Sequence, residues 1–182
     1  MTVKCSVFVA TSMDGFIARL NGDLDWLTSI AAANANEDYG YKDFFDTVDT
    51  VVLGRHTYEY VLSQNDWPYA GKKVIVLSRD AGKVPGNLAY NVEVLSGLPV
   101  DLVRLLEAEG VRHAYIDGGK TIQGFLNAGL INEMIITLVP VLIGEGIPLF
   151  GKLDRDIKLQ HIETILYRNS LLQSKYHVEN PV

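Results

Sequence analysis

Short runs of strand-forming residues alternate with helix-patterned segments through most of the chain, and near its end the alternation stops. Strand-type runs occupy residues 3–10, 50–54, 73–78, 91–95, 113–117 and 133–138, and two longer ones lie at 158–166 and 170–178. Helical patterns fill 37–46, 56–62, 100–109 and 120–127, each closing near a turn residue or a glycine such as Gly110 or Gly129. Strand, helix, strand is the unit of a parallel sheet, so this part predicts a mainly parallel sheet with helices on both faces. Residues 165–171 leave no room for a helix and carry the turn former Asn169. That predicts a C-terminal antiparallel hairpin closing a mixed sheet of about eight strands. With 182 residues, 48% of them apolar and 21% charged, the chain suits a single α/β domain over residues 1–182.

Several function classes drop out on composition. The formal charge of −6 opposes attraction to phosphate polymers and anionic lipid, so neither nucleic acid nor a membrane is an expected partner. Cys5 is the only cysteine, which rules out an internal disulfide or a cysteine-built zinc cluster and reads as a small core residue. The first apolar run is too short for a signal segment or a bilayer span, and a cytoplasmic protein is expected. His56, His113, His161 and His177 share no short motif, so no metal site or catalytic triad is expected.

The chemistry concentrates at three strand ends, which is where open α/β sheets bind ligands. The strand ending at Gly54 is followed by Arg55 and Thr57, so a glycine, a guanidinium, a hydroxyl and the first helical amides emerge together. The strand ending at Leu77 offers Ser78 and Arg79, a pair suited to a phosphomonoester such as a 2′-phosphate. Gly118, Gly119, Lys120, Thr121 and Ile122 join the last of the three to a helix, and the paired glycines allow close approach of a pyrophosphate. Neither the G-x-G-x-x-G spacing nor a P-loop is present, and each segment alone is also compatible with an ordinary turn. Three in one chain point to a phosphorylated dinucleotide.

The motifs Gly-Arg-His-Thr-Tyr-Glu at 54–59, Leu-Ser-Arg at 77–79 and the 118–122 turn resemble the NADPH-contacting segments of the dihydrofolate reductase-like fold. Ser-Met-Asp-Gly-Phe-Ile-Ala at 12–18 and the stretch from Val139 to Phe150 are similar to motifs of its branch related to the reductase domain of bacterial riboflavin biosynthesis. The resemblance implies a three-layer domain, NADPH as cofactor, Ala10 and Ile17 beside the nicotinamide, and a homodimer. The zinc deaminase signature of the bifunctional riboflavin proteins is absent from this sequence.

Hydride transfer to C=N or C=O requires an acid or a hydrogen bond at the substrate. Asp38 stands at about the interval where dihydrofolate reductases place their substrate carboxylate; it is equally placed to complement a helix dipole behind a cap at Asn36. Asp14 is the second acid, and Asp14-Gly15 also reads as a turn. Trp26 resembles the aromatic of the mobile substrate loop and serves as a candidate substrate wall or a core residue. The resulting expectation is an NADPH-dependent reductase of a small polar cyclic substrate, pyrimidine- or pterin-like, related to 5-amino-6-(5-phosphoribosylamino)uracil reductase. Dihydrofolate reductase itself, or a nucleotide-binding protein without turnover, are the alternatives.

Overall fold

The structure, a computed structural model, describes residues 2–32, 37–64, 67–79, 88 and 91–179. Its elements in chain order are β1 (Lys4–Ser12), β2 (Phe16–Ala18), α1 (Asp25–Ala32), α2 (Tyr41–Asp46), β3 (Thr50–Gly54), α3 (Arg55–Ser63), β4 (Lys73–Leu77), β5 (Val92–Leu95), α4 (Pro99–Ala108), β6 (His113–Asp117), α5 (Gly119–Asn127), β7 (Glu133–Val139), β8 (Ile147–Pro148), β9 (Lys158–Leu166) and β10 (Leu172–Glu179). The main sheet has eight strands in the order β5-β4-β3-β6-β1-β7-β10-β9. The first six of that order are joined in parallel, and β10 pairs antiparallel with both β7 and β9. The expected mixed sheet with a terminal hairpin is therefore the observed one.

Burial follows from the residue pattern. Val51, Val52 and Leu53 of β3 and Val74, Ile75 and Val76 of β4 are inaccessible or nearly so, as strands covered on both faces must be. Alternate residues feed two cores. One face packs Val7, Val52, Ile75 and Ile116 against Leu102 and Leu106 of α4 and Ile122, Phe125 and Leu126 of α5. The 122, 125, 126 spacing puts three side chains on one stripe of α5, and burying each contributes roughly 1.5–3 kcal/mol. The other face packs Val51, Leu53, Val74, Val76, Tyr115 and Ile135 with Phe44 of α2 and Tyr58 of α3.

Several expectations are revised. The helix expected over 37–46 begins at Tyr41, because Tyr39 (φ 56°) and Gly40 (φ 77°) take the left-handed conformation that a helix cannot contain. Helix α1 was not expected from the sequence, nor was the two-stranded antiparallel sheet of β2 and β8. The last strand starts at Leu172 rather than 170, since Ser170 sits at φ 66° in the turn. Helices do not cover the whole sheet: all of β9 is exposed. Asn36 and the loop read at 82–87 lie outside the described residues.

Candidate functional site

Parallel register brings the three strand ends side by side. Gly54 of β3 pairs with Leu77 of β4, and Leu53 pairs with Asp117 of β6, so the three motifs leave the sheet along one edge. Helices α3 and α5 then start at Arg55 and Gly119, each behind a glycine N-cap that supplies no side-chain hydrogen bond. The first amides of both helices are thus left for an anion, which the helix dipole also favours.

The glycines here are required by space as well as by conformation. Gly118 has φ 88°, and a Cβ on it would run into the Thr57 hydroxyl. A Cβ on Gly54 would lie 2.8 Å from Thr121 Oγ1, and one on Gly119 would lie 2.9 Å from Ile17 Cδ1 and 3.3 Å from the Pro148 carbonyl oxygen. Gly54, Thr57, Gly118, Gly119 and Thr121 therefore form one small cradle, with Ile17 of β2 and Pro148 of β8 against its Gly119 side. The missing side chains let the starts of α3 and α5 close on each other, with the Thr57 and Thr121 hydroxyls between them. Arg55 is half-exposed and its Nε donates to Glu59 Oε1 at 2.7 Å, while Arg79 and Lys120 are exposed and Ser78 is half-buried. The Ser78 amide donates to the Leu95 carbonyl at 2.9 Å, which keeps the residue after β4 in register with β5.

Asp117, which the sequence reading did not single out, is a buried acid at this edge of the sheet. Its Oδ1 accepts from the Gly118 amide at 2.7 Å and its Oδ2 from the Tyr69 hydroxyl at 3.2 Å. Desolvation nevertheless pushes its carboxyl above the usual range, overcoming those hydrogen bonds. Tyr41, Tyr69 and Tyr115 surround this charge, and burial raises all three phenols. Next to Tyr69, the Trp67 ring is 5.3 Å away, and Tyr58 lies 6.1 Å beyond Trp67. Among the described residues the Trp67 Nε1 and the Tyr58 hydroxyl are buried without a hydrogen-bond partner, a state that costs about 1–3 kcal/mol per group. The available sequence signal was an acid on the last residue of an apolar strand, directly before Gly-Gly.

Asp38 occupies a different setting. It is exposed, and its two carboxylate oxygens accept from the Gly40 and Lys42 amides, both at 3.0 Å. Asp14 accepts from the Gly144 amide at 2.8 Å and from the Ile143 amide at 3.2 Å. A Ser12 hydrogen bond leads the interactions that hold its carboxyl below the usual range. It thereby fastens the β1–β2 turn to the late loop. Trp26 is 5% exposed and packs with Ala10, Tyr39, Val139, Leu171 and Tyr167, its Nε1 also lacking a partner among the described residues. The structure thus joins Trp26 to Ala10 and to the neighbour of Asp38, joins Ile17 to Gly119, and sets Asp14 on the outer strap. Cys5 is buried, and burial pushes its thiol up to about 12, far from the range of a reactive thiolate. No group of His, Cys, Asp and Glu that can hold a metal occurs among the described residues, and no helix described is long and apolar enough to cross a membrane.

The chain is similar to known proteins in sequence and in fold. The RibD C-terminal domain family matches residues 3–171. The chain is 34% identical over 161 residues, 88% of its length and 90% of the relative's, to the uncharacterized protein YwjB of Bacillus subtilis. A crystal structure of a Shewanella sp. PV-4 protein named for riboflavin biosynthesis superposes with a TM-score of 0.90 at 43% identity, covering 98% of this chain and 99% of that one. Dihydrofolate reductase from Enterococcus faecalis, solved with NADP(H), shares the fold alone, at 17% identity and a TM-score of 0.66 over 98% of this chain and 99% of that one.

Proposed function

Because this chain belongs to the RibD C-terminal domain family, a family of reductase type related to riboflavin biosynthesis, we propose that it is an NADPH-dependent reductase of a small polar cyclic substrate, pyrimidine- or pterin-like. The observation that carries the proposal is the cradle at Gly54, Gly118 and Gly119, where two helix starts without side-chain caps meet in register. Gly118, Gly119, Thr57 and Thr121 hold the pyrophosphate, and Ser78 and Arg79 read the 2′-phosphate. Ala10 and Ile17 flank the nicotinamide, whose bound reduced form supplies the hydride.

Bound there, the nicotinamide would supply a hydride to the carbon of a C=N or C=O bond, whose heteroatom would need a proton from a protein group. Asp117 is the group fitted to hold that proton, since desolvation favours its neutral form. Asp38 keeps the 38–42 turn in place, and Trp26 forms the apolar wall beside Ala10.

Nicotinamide fluorescence during NADPH titration tests the cofactor assignment. Saturable binding is expected, weakened at least tenfold in Arg55→Ala with Arg79→Ala, the loss of two charge-assisted contacts being worth more than about 1.4 kcal/mol. Unchanged affinity in that double variant sinks the assignment. Following NADPH absorbance with a ribosylaminopyrimidine phosphate and with dihydrofolate then separates the enzyme readings, and no oxidation with any substrate leaves a binding protein.

A further inference from the structure

Asp117 is not alone at the end of β6. Tyr115 stands two residues before it on the same face of the strand, and Tyr69 reaches it from the segment ahead of β4. Both tyrosines are 5% exposed or less, and edge contacts lock their rings: Tyr115 against Phe44 at 5.2 Å and 90°, Tyr69 against Trp67 at 5.3 Å and 88°. The phenol oxygens are therefore fixed, and only the hydroxyl protons can turn.

Those protons can be counted. The Asp117 carboxyl accepts from the Gly118 amide at 2.7 Å through Oδ1 and from the Tyr69 hydroxyl at 3.2 Å through Oδ2. The Tyr115 hydroxyl lies within hydrogen-bonding reach of the same carboxyl, yet it donates its single proton to the Phe8 carbonyl of β1 at 2.9 Å. Its oxygen is left with a lone pair for an acid proton. Among the described residues no lysine, arginine or second carboxylate acts on the Asp117 carboxyl, and Tyr41 of α2, whose phenol feels its charge, makes no hydrogen bond to it. A charged Asp117 draws the Tyr115 proton only by giving up the Phe8 bond. A neutral Asp117 donates its own proton to the Tyr115 oxygen while Tyr115 goes on donating to Phe8, and every group in the chain is matched.

We propose that Tyr69 and Tyr115 are positioning residues that act on Asp117 in opposite senses, the Tyr69 hydroxyl donating to the charged carboxylate and the Tyr115 oxygen receiving the acid proton of the neutral form. The inference rests on the reductase reading for the use made of that proton, because the hydrogen-bonded chain ends at Phe8, two residues from the Ala10 that this reading sets beside the nicotinamide. A tyrosine that only filled space would leave the protonation of Asp117 as it is.

Carbon-13 NMR of the Asp117 carboxyl over a pH series decides this on the free protein. The midpoint is expected to rise by about one pH unit in Tyr69→Phe, the size of one lost charge-assisted hydrogen bond. It is expected to fall by about half a unit or more in Tyr115→Phe, where the neutral acid loses its acceptor, and to stay unchanged in Tyr41→Phe. In wild type the Tyr115 Cζ resonance should titrate together with the carboxyl, a readout that needs no folded variant. A midpoint that holds or rises in Tyr115→Phe overturns the proposal. So does a shift in Tyr41→Phe as large as that in Tyr69→Phe, or a Tyr115 Cζ resonance that stays flat while the carboxyl titrates. None of these readings involves cofactor or turnover, so failure here is separate from failure of the reductase reading, which the NADPH titration tests.

Discussion

Two places in the molecule repeat one local motif, an aspartate followed closely by a glycine of positive φ whose amide it accepts. At the β6–α5 junction Asp117 accepts from Gly118 (φ 88°), and in the turn before α2 Asp38 accepts from Gly40 (φ 77°). Their surroundings separate them. Asp117 is desolvated among tyrosines, and the Cβ position of Gly118 is filled by Thr57; Asp38 is exposed, and nothing lies within 4 Å of the Cβ position of Gly40. A local hydrogen-bonding pattern thus says where a carboxylate is held, and only the tertiary packing says whether it is suited to proton chemistry.

Glycine substitution should separate the two places most strongly. Gly118→Ala meets both the left-handed backbone, at about 1–2 kcal/mol, and the Thr57 side chain, so NADPH affinity is expected to collapse along with a large fall in thermal midpoint. Gly40→Ala meets the backbone cost alone and should bind NADPH normally. Equal loss of binding in both variants, measured by nicotinamide fluorescence, breaks the contrast.

Next in size is the aspartate pair. Once a substrate is in hand, Asp117→Asn should lower kcat by about 10²-fold or more, the ordinary value of a positioned acid, with NADPH affinity kept. Asp38→Asn removes a turn-holding acceptor worth about 0.5–2 kcal/mol and should change kcat less than tenfold. A larger kcat loss in Asp38→Asn than in Asp117→Asn returns the proton-handling role to Asp38.

The smallest effect is in the pH dependence of stability. The folded carboxyl of Asp117 is raised, so the folded state binds its proton more readily than the unfolded state. Its stabilising contribution is fully present below the unfolded carboxylate value and is lost as pH rises through the folded one. Asp117→Asn should therefore gain thermal stability relative to wild type as pH rises through that window. A difference between the two melting profiles that stays constant with pH contradicts the desolvation.

The parallel half of the fold was legible because its strands are continuous apolar runs bounded by glycines and polar loops, and burial on both faces leaves that mark in the sequence. The three strand ends were legible for the same reason. What escaped notice depends on partners remote in sequence. Ile147 and Pro148 of β8 form a strand only because Phe16 and Ala18 meet them, and two residues leave no periodicity to read. Helix α2 was drawn too long because the pattern over 37–46 is helical in polarity, while the break comes from a left-handed Tyr39 whose ring and backbone are held by Asn169 and Gln173. The setting of Asp117 was not legible, since no local residue announces that three tyrosines will take its water away.

The strap fastened by Asp14 to the Ile143 and Gly144 amides joins residues about 130 positions apart, and Ile17 and Pro148 beneath it press on Gly119. A strap held by exposed hydrogen bonds opens at a lower free energy than the buried strands of the sheet. The floor of the cradle rests on buried parallel strands, whereas its wall rests on this exposed strap. Hydrogen exchange at the Ile143 and Gly144 amides should therefore report cofactor binding from a distance: a ligand that needs the wall closed slows exchange there while leaving the core amides of β3 and β6 unchanged.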